Sequence, residues 1–133
     1  MVSLLADTSF VIDLMLNDKG ALMRAKELAN DSISVVVGTP TLFELYVGVG
    51  LSGKAEAEKE KIQDTIGSLT QVPLDASSAR RAGLVYASKA REGIRIDTED
   101  AMLAGIALEN DQPILTRNKK HFSGIPGLRV EEY

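Results

Sequence analysis

The apolar positions fall into short continuous runs separated by stretches of helical period. Residues 2–6 (Val-Ser-Leu-Leu-Ala) form a brief apolar run that ends on Asp7, which predicts a buried strand. Thr8 and Ser9 then offer hydroxyls for a helix start, and Phe10, Val11, Leu14 and Met15 recur at helical spacing. A second helix is predicted over 21–29, and the β-branched run Ile33 to Val37 predicts another buried strand. Gly38-Thr39-Pro40 breaks that strand, and Pro40 suits the first turn of a helix carrying Leu42, Phe43, Leu45 and Tyr46. Residues 54–61 give the solvated face of a further helix, and Leu69 to Leu74 a third strand. Helices follow over 76–91, ended by Gly93, and over 98–109. A turn at Asn110-Asp111 leads to strands at 113–116 and 128–130. Buried strands alternating with helices predict an α/β fold around a mostly parallel sheet. With no linker, repeat or low-complexity segment, residues 1–133 are expected to form one domain.

Composition narrows the chemistry. A hydrophobic fraction of 44% is enough for a real core. The absence of cysteine removes thiol nucleophiles, disulfides and cysteine zinc sites, and suits a reducing cytoplasm. The opening run reaches a carboxylate at position 7, too soon for a signal peptide or a membrane span, so a cytoplasmic location without a membrane is expected. The Asn30-Asp31-Ser32 sequon carries no weight without a secretory signal. The net charge of −4 counts against a nucleic-acid partner unless bound cations reverse the local field.

The carboxylates supply that possibility. Ligands of open parallel sheets bind outside the carboxyl ends of the strands. Asp7 ends the first strand, and Glu44 lies in the first turns of the helix after the second. Asp100 lies in the first turn of the helix starting at Thr98, and Asn118 follows the strand ending at Thr116. All four are therefore expected at one edge. Glu44 sits among Leu42, Phe43, Leu45 and Tyr46, so its helix face is expected to be buried, where a carboxylate needs a cation or donors. For Asp100 the helix dipole alone is an alternative explanation. Carboxylate oxygens suit Mg²⁺ or Mn²⁺, which bind phosphate oxygens and activate water.

Other motifs are set aside. Gly48 to Gly53 match the dinucleotide fingerprint by letter, but they end a helix instead of following a strand. His121 is the single histidine, and no serine lies in a Gly-x-Ser-x-Gly context, which disfavours a Ser–His hydrolase. His121 is read as structural. Arg117, Lys119 and Lys120 follow the strand that ends near the site and could hold RNA phosphates. For Arg80, Arg81, Lys89, Arg91 and Arg95, phosphate contacts and scattered surface charge both stay open.

Four segments together resemble a known family. Leu5-Ala6-Asp7-Thr8-Ser9-Phe10-Val11-Ile12-Asp13-Leu14 looks like the opening motif of PIN-domain proteins, and Thr41-Leu42-Phe43-Glu44-Leu45-Tyr46-Val47-Gly48 like their second. Asp100-Ala101-Met102-Leu103-Ala104-Gly105-Ile106-Ala107 resembles the third, Leu115 to Phe122 the fourth, and Gly127-Leu128-Arg129-Val130 the usual ending. The ordered set covers nearly the whole chain and is most similar to the VapC type, the toxins of VapBC modules. The resemblance implies a three-layer α/β/α PIN-like fold and an endoribonuclease dependent on Mg²⁺ or Mn²⁺. It also implies a homodimer and inhibition by a VapB-like antitoxin whose tail covers the active site. The metal-binding and catalytic acids carry over onto Asp7, Glu44 and Asp100. The fourth position, often Asp, is here Asn118, which adds no negative charge. Asp97 and Glu99 flank Asp100, either to make up that charge or as ordinary helix-start acids. Ser9 and Thr116 stand beside the acids as residues that orient them. Two other readings remain: a PIN-fold RNA- or protein-binding module with little catalysis, which Asn118 favours, and an RNA-processing nuclease without an antitoxin.

Overall fold

The computed structural model describes residues 2–133. Its elements are β1 (Ser3–Ala6), α1 (Thr8–Met15), α2 (Lys19–Asn30), β2 (Ser34–Gly38), α3 (Thr39–Leu51) and α4 (Ala55–Ile66). They continue as β3 (Thr70–Val72), α5 (Ala76–Arg91), α6 (Thr98–Glu109), β4 (Ile114–Thr116) and β5 (Val130–Glu132), with a short 3₁₀ turn at Lys119–His121. The strands form one sheet in the order β3-β2-β1-β4-β5, and every neighbouring pair is parallel. The expected α/β/α arrangement is present, and its sheet is wholly parallel.

Side-chain alternation divides the interior into two cores, one on each face of the sheet. Leu4, Ala6, Val37 and Leu115 point into a core with Phe10, Val11, Leu28 and Ile66. Their neighbours Leu5, Val36 and Ile114 point into the other, with Leu103, Ile106 and Phe122. This two-sided burial explains why the strands read as unbroken apolar runs. On the second face α6 lies close against α5. A Cβ built on Gly105 would stand 2.4 Å from the Ser78 carbonyl oxygen, so only glycine allows this approach.

Several boundaries move. The third strand keeps only Thr70–Val72 of the expected 69–74, because Leu74 turns away and its N–H donates to Thr39 Oγ1 at 3.0 Å. The last strand starts at Val130, two residues beyond its expected start. Gly127, at φ 81, and the Leu128 N–H bond to Ile125 keep that stretch in a turn.

Candidate active site

Parallel strands place their carboxyl ends on one edge, where α1, α3 and α6 begin. Asp7 stands at the N-cap of α1, yet its side chain makes no cap bond. Its Oδ2 instead accepts from Thr116 Oγ1 at 2.6 Å and Ser9 Oγ at 2.9 Å, which leaves Oδ1 aside from both hydroxyls. Thr116 is fully buried at the end of β4 and also accepts the Asn118 N–H at 2.9 Å. Thr8 and Thr41 share a hydroxyl bond of 2.9 Å that ties the starts of α1 and α3 together.

Asp7, Glu44, Glu99 and Asp100 act on one another. Burial, a hydrogen bond to Glu44 and the charges of Glu44, Asp100 and Asp7 push Glu99 up to about 8. Asp100 is pushed up to about 6 by burial and then by Asp7, with Asp97 and Glu44 adding to the rise and His121 opposing it. The Asp100 side chain is 16% exposed, with His121 Nδ1 3.4 Å from its Oδ2.

Several expectations change here. Glu44 is exposed, because α3 turns Pro40, Thr41, Leu45 and Val49 inward. Phe43 is 69% and Tyr46 41% exposed, so the apolar neighbours of Glu44 do not bury it. Its proximity to the other acids comes from its position at the strand edge. Glu99, in the first turn of α6, lies close enough to Glu44 for the two acids to affect each other. Asp97 occupies the N-cap of α6 without a side-chain cap bond. Asn118 joins the network through its backbone N–H, and among the described residues no hydrogen bond brings its side-chain amide onto the acids. Arg117 lies 3.0 Å from Asp13 Oδ2, so its charge is already paired. Asp13 went unnoticed in the sequence: it is buried, and the Tyr133 hydroxyl donates to it at 2.7 Å. Burial and this acceptor push the Tyr133 phenol well up. An acid at helical spacing from Phe10 in the first motif was the available signal.

Carboxylate oxygens crowded in this way suit a hard divalent cation. Among the described residues, however, no group of three or more His, Cys, Asp or Glu has side chains already gathered as a metal-ligand set. A cation bound here would therefore require some side-chain adjustment.

Known proteins share this architecture. Over its full 133 residues the chain is 28% identical to the tRNA(fMet)-specific endonuclease VapC of Shigella flexneri, covering 99% of it. It is 25% identical over 107 residues to Ribonuclease VapC2 of Rickettsia felis, with 80% of each chain covered. Among solved structures, VapBC2 of Rickettsia felis bound to a promoter DNA fragment superposes with a TM-score of 0.89 at 22% identity, covering 100% of this chain and 99% of that one. DNA-bound VapBC of Salmonella typhimurium gives 0.86 at 28% identity, covering 99% and 98%. The PIN domain model matches residues 4–128, and the chain belongs to the PIN-domain family.

Proposed function

We propose that this chain is a metal-dependent endoribonuclease and the toxin of a toxin–antitoxin pair. The crowding of Asp7, Glu44, Glu99 and Asp100 at the carboxyl edge of the sheet carries the reading. A chain with a net charge of −4 gains little by gathering acids unless a cation joins them. Asp7, Glu44 and Asp100 would hold a Mg²⁺ or Mn²⁺ ion, which would supply positive charge for phosphodiester oxygens and a more acidic water. Water would be the nucleophile: its oxygen bonds to phosphorus in line as the opposite P–O bond breaks, and the proton it loses is balanced by one gained at the departing oxygen. Thr116 and Ser9 fix the Asp7 carboxylate through one oxygen and hold it ready. Asn118 holds the turn after β4 in place at the fourth position.

The names of the VapC relatives support RNA as substrate, and the VapBC complexes among the neighbours support a VapB-like antitoxin. An apolar groove of about 520 Å³ lined by Pro40, Phe43, Leu74 and Met102 reaches Glu99, and it suits an antitoxin tail. Exposed Leu51 and Leu84 support a homodimer. No helix of the described residues is long and apolar enough to cross a membrane. A cytoplasmic role completes the proposal.

Cleavage of a defined RNA, with Mg²⁺ or Mn²⁺ and again in chelator, tests the function. Asp100→Asn keeps the shape of the side chain and removes its charge, so cleavage falls at least roughly a hundredfold, about 2.7 kcal/mol of transition-state stabilisation. Activity that survives chelation, or equal rates for the equally folded variant, removes the metal or Asp100 from the mechanism. RNA binding without cleavage favours the binding-module reading.

A further inference from the structure

Between the last turn of α5, the connector before α6 and the Lys119–His121 turn lies a cavity of about 370 Å³. Asp97 and Asp100 form the wall it shares with the acidic centre, and Lys89, Arg95 and Lys120 also line it. Lys89 is only 7% exposed, which is rare for an unpaired lysine. Its Nζ donates to the Ser123 carbonyl at 2.7 Å. Among the described residues no carboxylate lies within ion-pair distance of it. An ammonium has three donors, and a carbonyl acceptor neutralises none of its charge. Gly124 keeps the space beside it open: a Cβ there would stand 2.8 Å from Nζ, and its φ of 77 also favours glycine.

Of the other basic residues considered above, Arg80, Arg91 and Lys119 also lack an ion pair among the described residues but do not line the cavity. Arg81 is paired with Glu109 and Arg117 with Asp13, each at 3.0 Å. Lys89, Arg95 and Lys120 have no such partner among the described residues, and they converge on one cavity from three chain segments.

We infer that this cavity is the subsite for a phosphate of the RNA strand next to the scissile one, a reading that rests on the ribonuclease function proposed above. Three cations from separate segments match a group with several charged oxygens better than a single carboxylate. The volume lies near the lower bound of ligand pockets, roughly 300 Å³, and takes a phosphate with its sugar instead of a duplex or a helix. The wall shared with Asp100 means that a strand leaving the acidic centre in this direction meets these cations next. Asp97 and Asp100 oppose a phosphate in the bare protein, and a cation at the acidic centre reverses that field.

The test measures binding apart from cleavage. A fluorescent single-stranded RNA of about a dozen nucleotides is titrated by anisotropy in Mg²⁺, on the Asp100→Asn background so that it stays whole. Arg95→Gln and Lys120→Gln, both at exposed positions, should each weaken binding roughly three- to tenfold and lower the log–log salt slope by about 0.7. Lys89→Met should do the same if it folds; the two exposed variants decide the matter if it does not. Lys59→Gln, on α4, is the control and should change nothing. In the wild-type chain, inorganic phosphate should shift the Ser123 and Gly124 amide resonances. Wild-type affinity and slope in both exposed variants would overturn the proposal, as would losses confined to antitoxin binding. Losses in RNA binding with no cleavage by the wild-type chain would uphold the subsite and sink the nuclease reading.

Discussion

Thr116→Val tests whether the Asp7 carboxylate is held by its hydroxyl partners. Valine has nearly the same shape and suits a strand, so the buried position keeps its packing. Two bonds are lost: the 2.6 Å donation to Asp7 Oδ2 and the acceptor of the Asn118 N–H. A hydrogen bond to a charged group contributes about 1.5–3 kcal/mol, and an orphaned backbone donor costs about 1 kcal/mol more. Allowing for the better strand propensity of valine, the net loss is about 2–3 kcal/mol. With an unfolding entropy of about 2.1 cal/mol/K per residue, the 133 residues turn this into a Tm lower by about 7–11 °C. Calorimetry in chelator reads it directly. Ser9 donates to the same oxygen, so a double-mutant cycle with Ser9→Ala should show a coupling of at least about 0.5 kcal/mol. Cleavage should fall about ten- to a hundredfold, as for other residues that orient metal-binding groups. A Tm within about 2 °C of wild type, together with unchanged cleavage, would refute the proposed role of Thr116.

Two further predictions concern charge. Asp100 and Glu99 bind protons more tightly folded than unfolded, having risen from 3.8 and 4.5 to about 6 and about 8. Their contribution to stability is therefore present below about pH 4 and lost as pH rises through 6 and 8. In chelator, this site should make the Tm fall between pH 5 and 8.5, and Glu99→Gln should flatten the fall. Mn²⁺ should flatten it in the wild-type chain, and the same slope with and without the ion counts against a cation site. Asn118→Asp should tighten Mn²⁺ binding by calorimetry by adding charge to an oxygen-ligand cluster; unchanged or weaker binding puts residue 118 outside that cluster.

What the sequence revealed depended on how local the cause was. The limits of α6, Thr98 to Glu109, were readable because an acid-rich start and an Asn-Asp turn bracket the apolar run. The strand-end positions of Asp7 and Thr116 followed from the parallel pattern. Glu44 was misjudged because nearly every neighbour on α3 is apolar, so periodicity could not tell the inner face from the outer. The pairing of Glu99 with Glu44, and of Asp13 with Arg117 and Tyr133, joins residues from distant segments. Such contacts follow from how the helices and the chain end settle on the sheet, and no local pattern encodes them.

The glycine contact between α5 and α6 has a mechanical consequence. Lys89 rides on α5 and Asp100 on α6, and Gly105 seats one helix on the other with no side chain between them. That contact fixes the spacing between the two helices where they meet. A strand gripped by its phosphates would be measured against this fixed gap before it was cut. The cutting position would then follow from backbone spacing in the protein as much as from any base it reads.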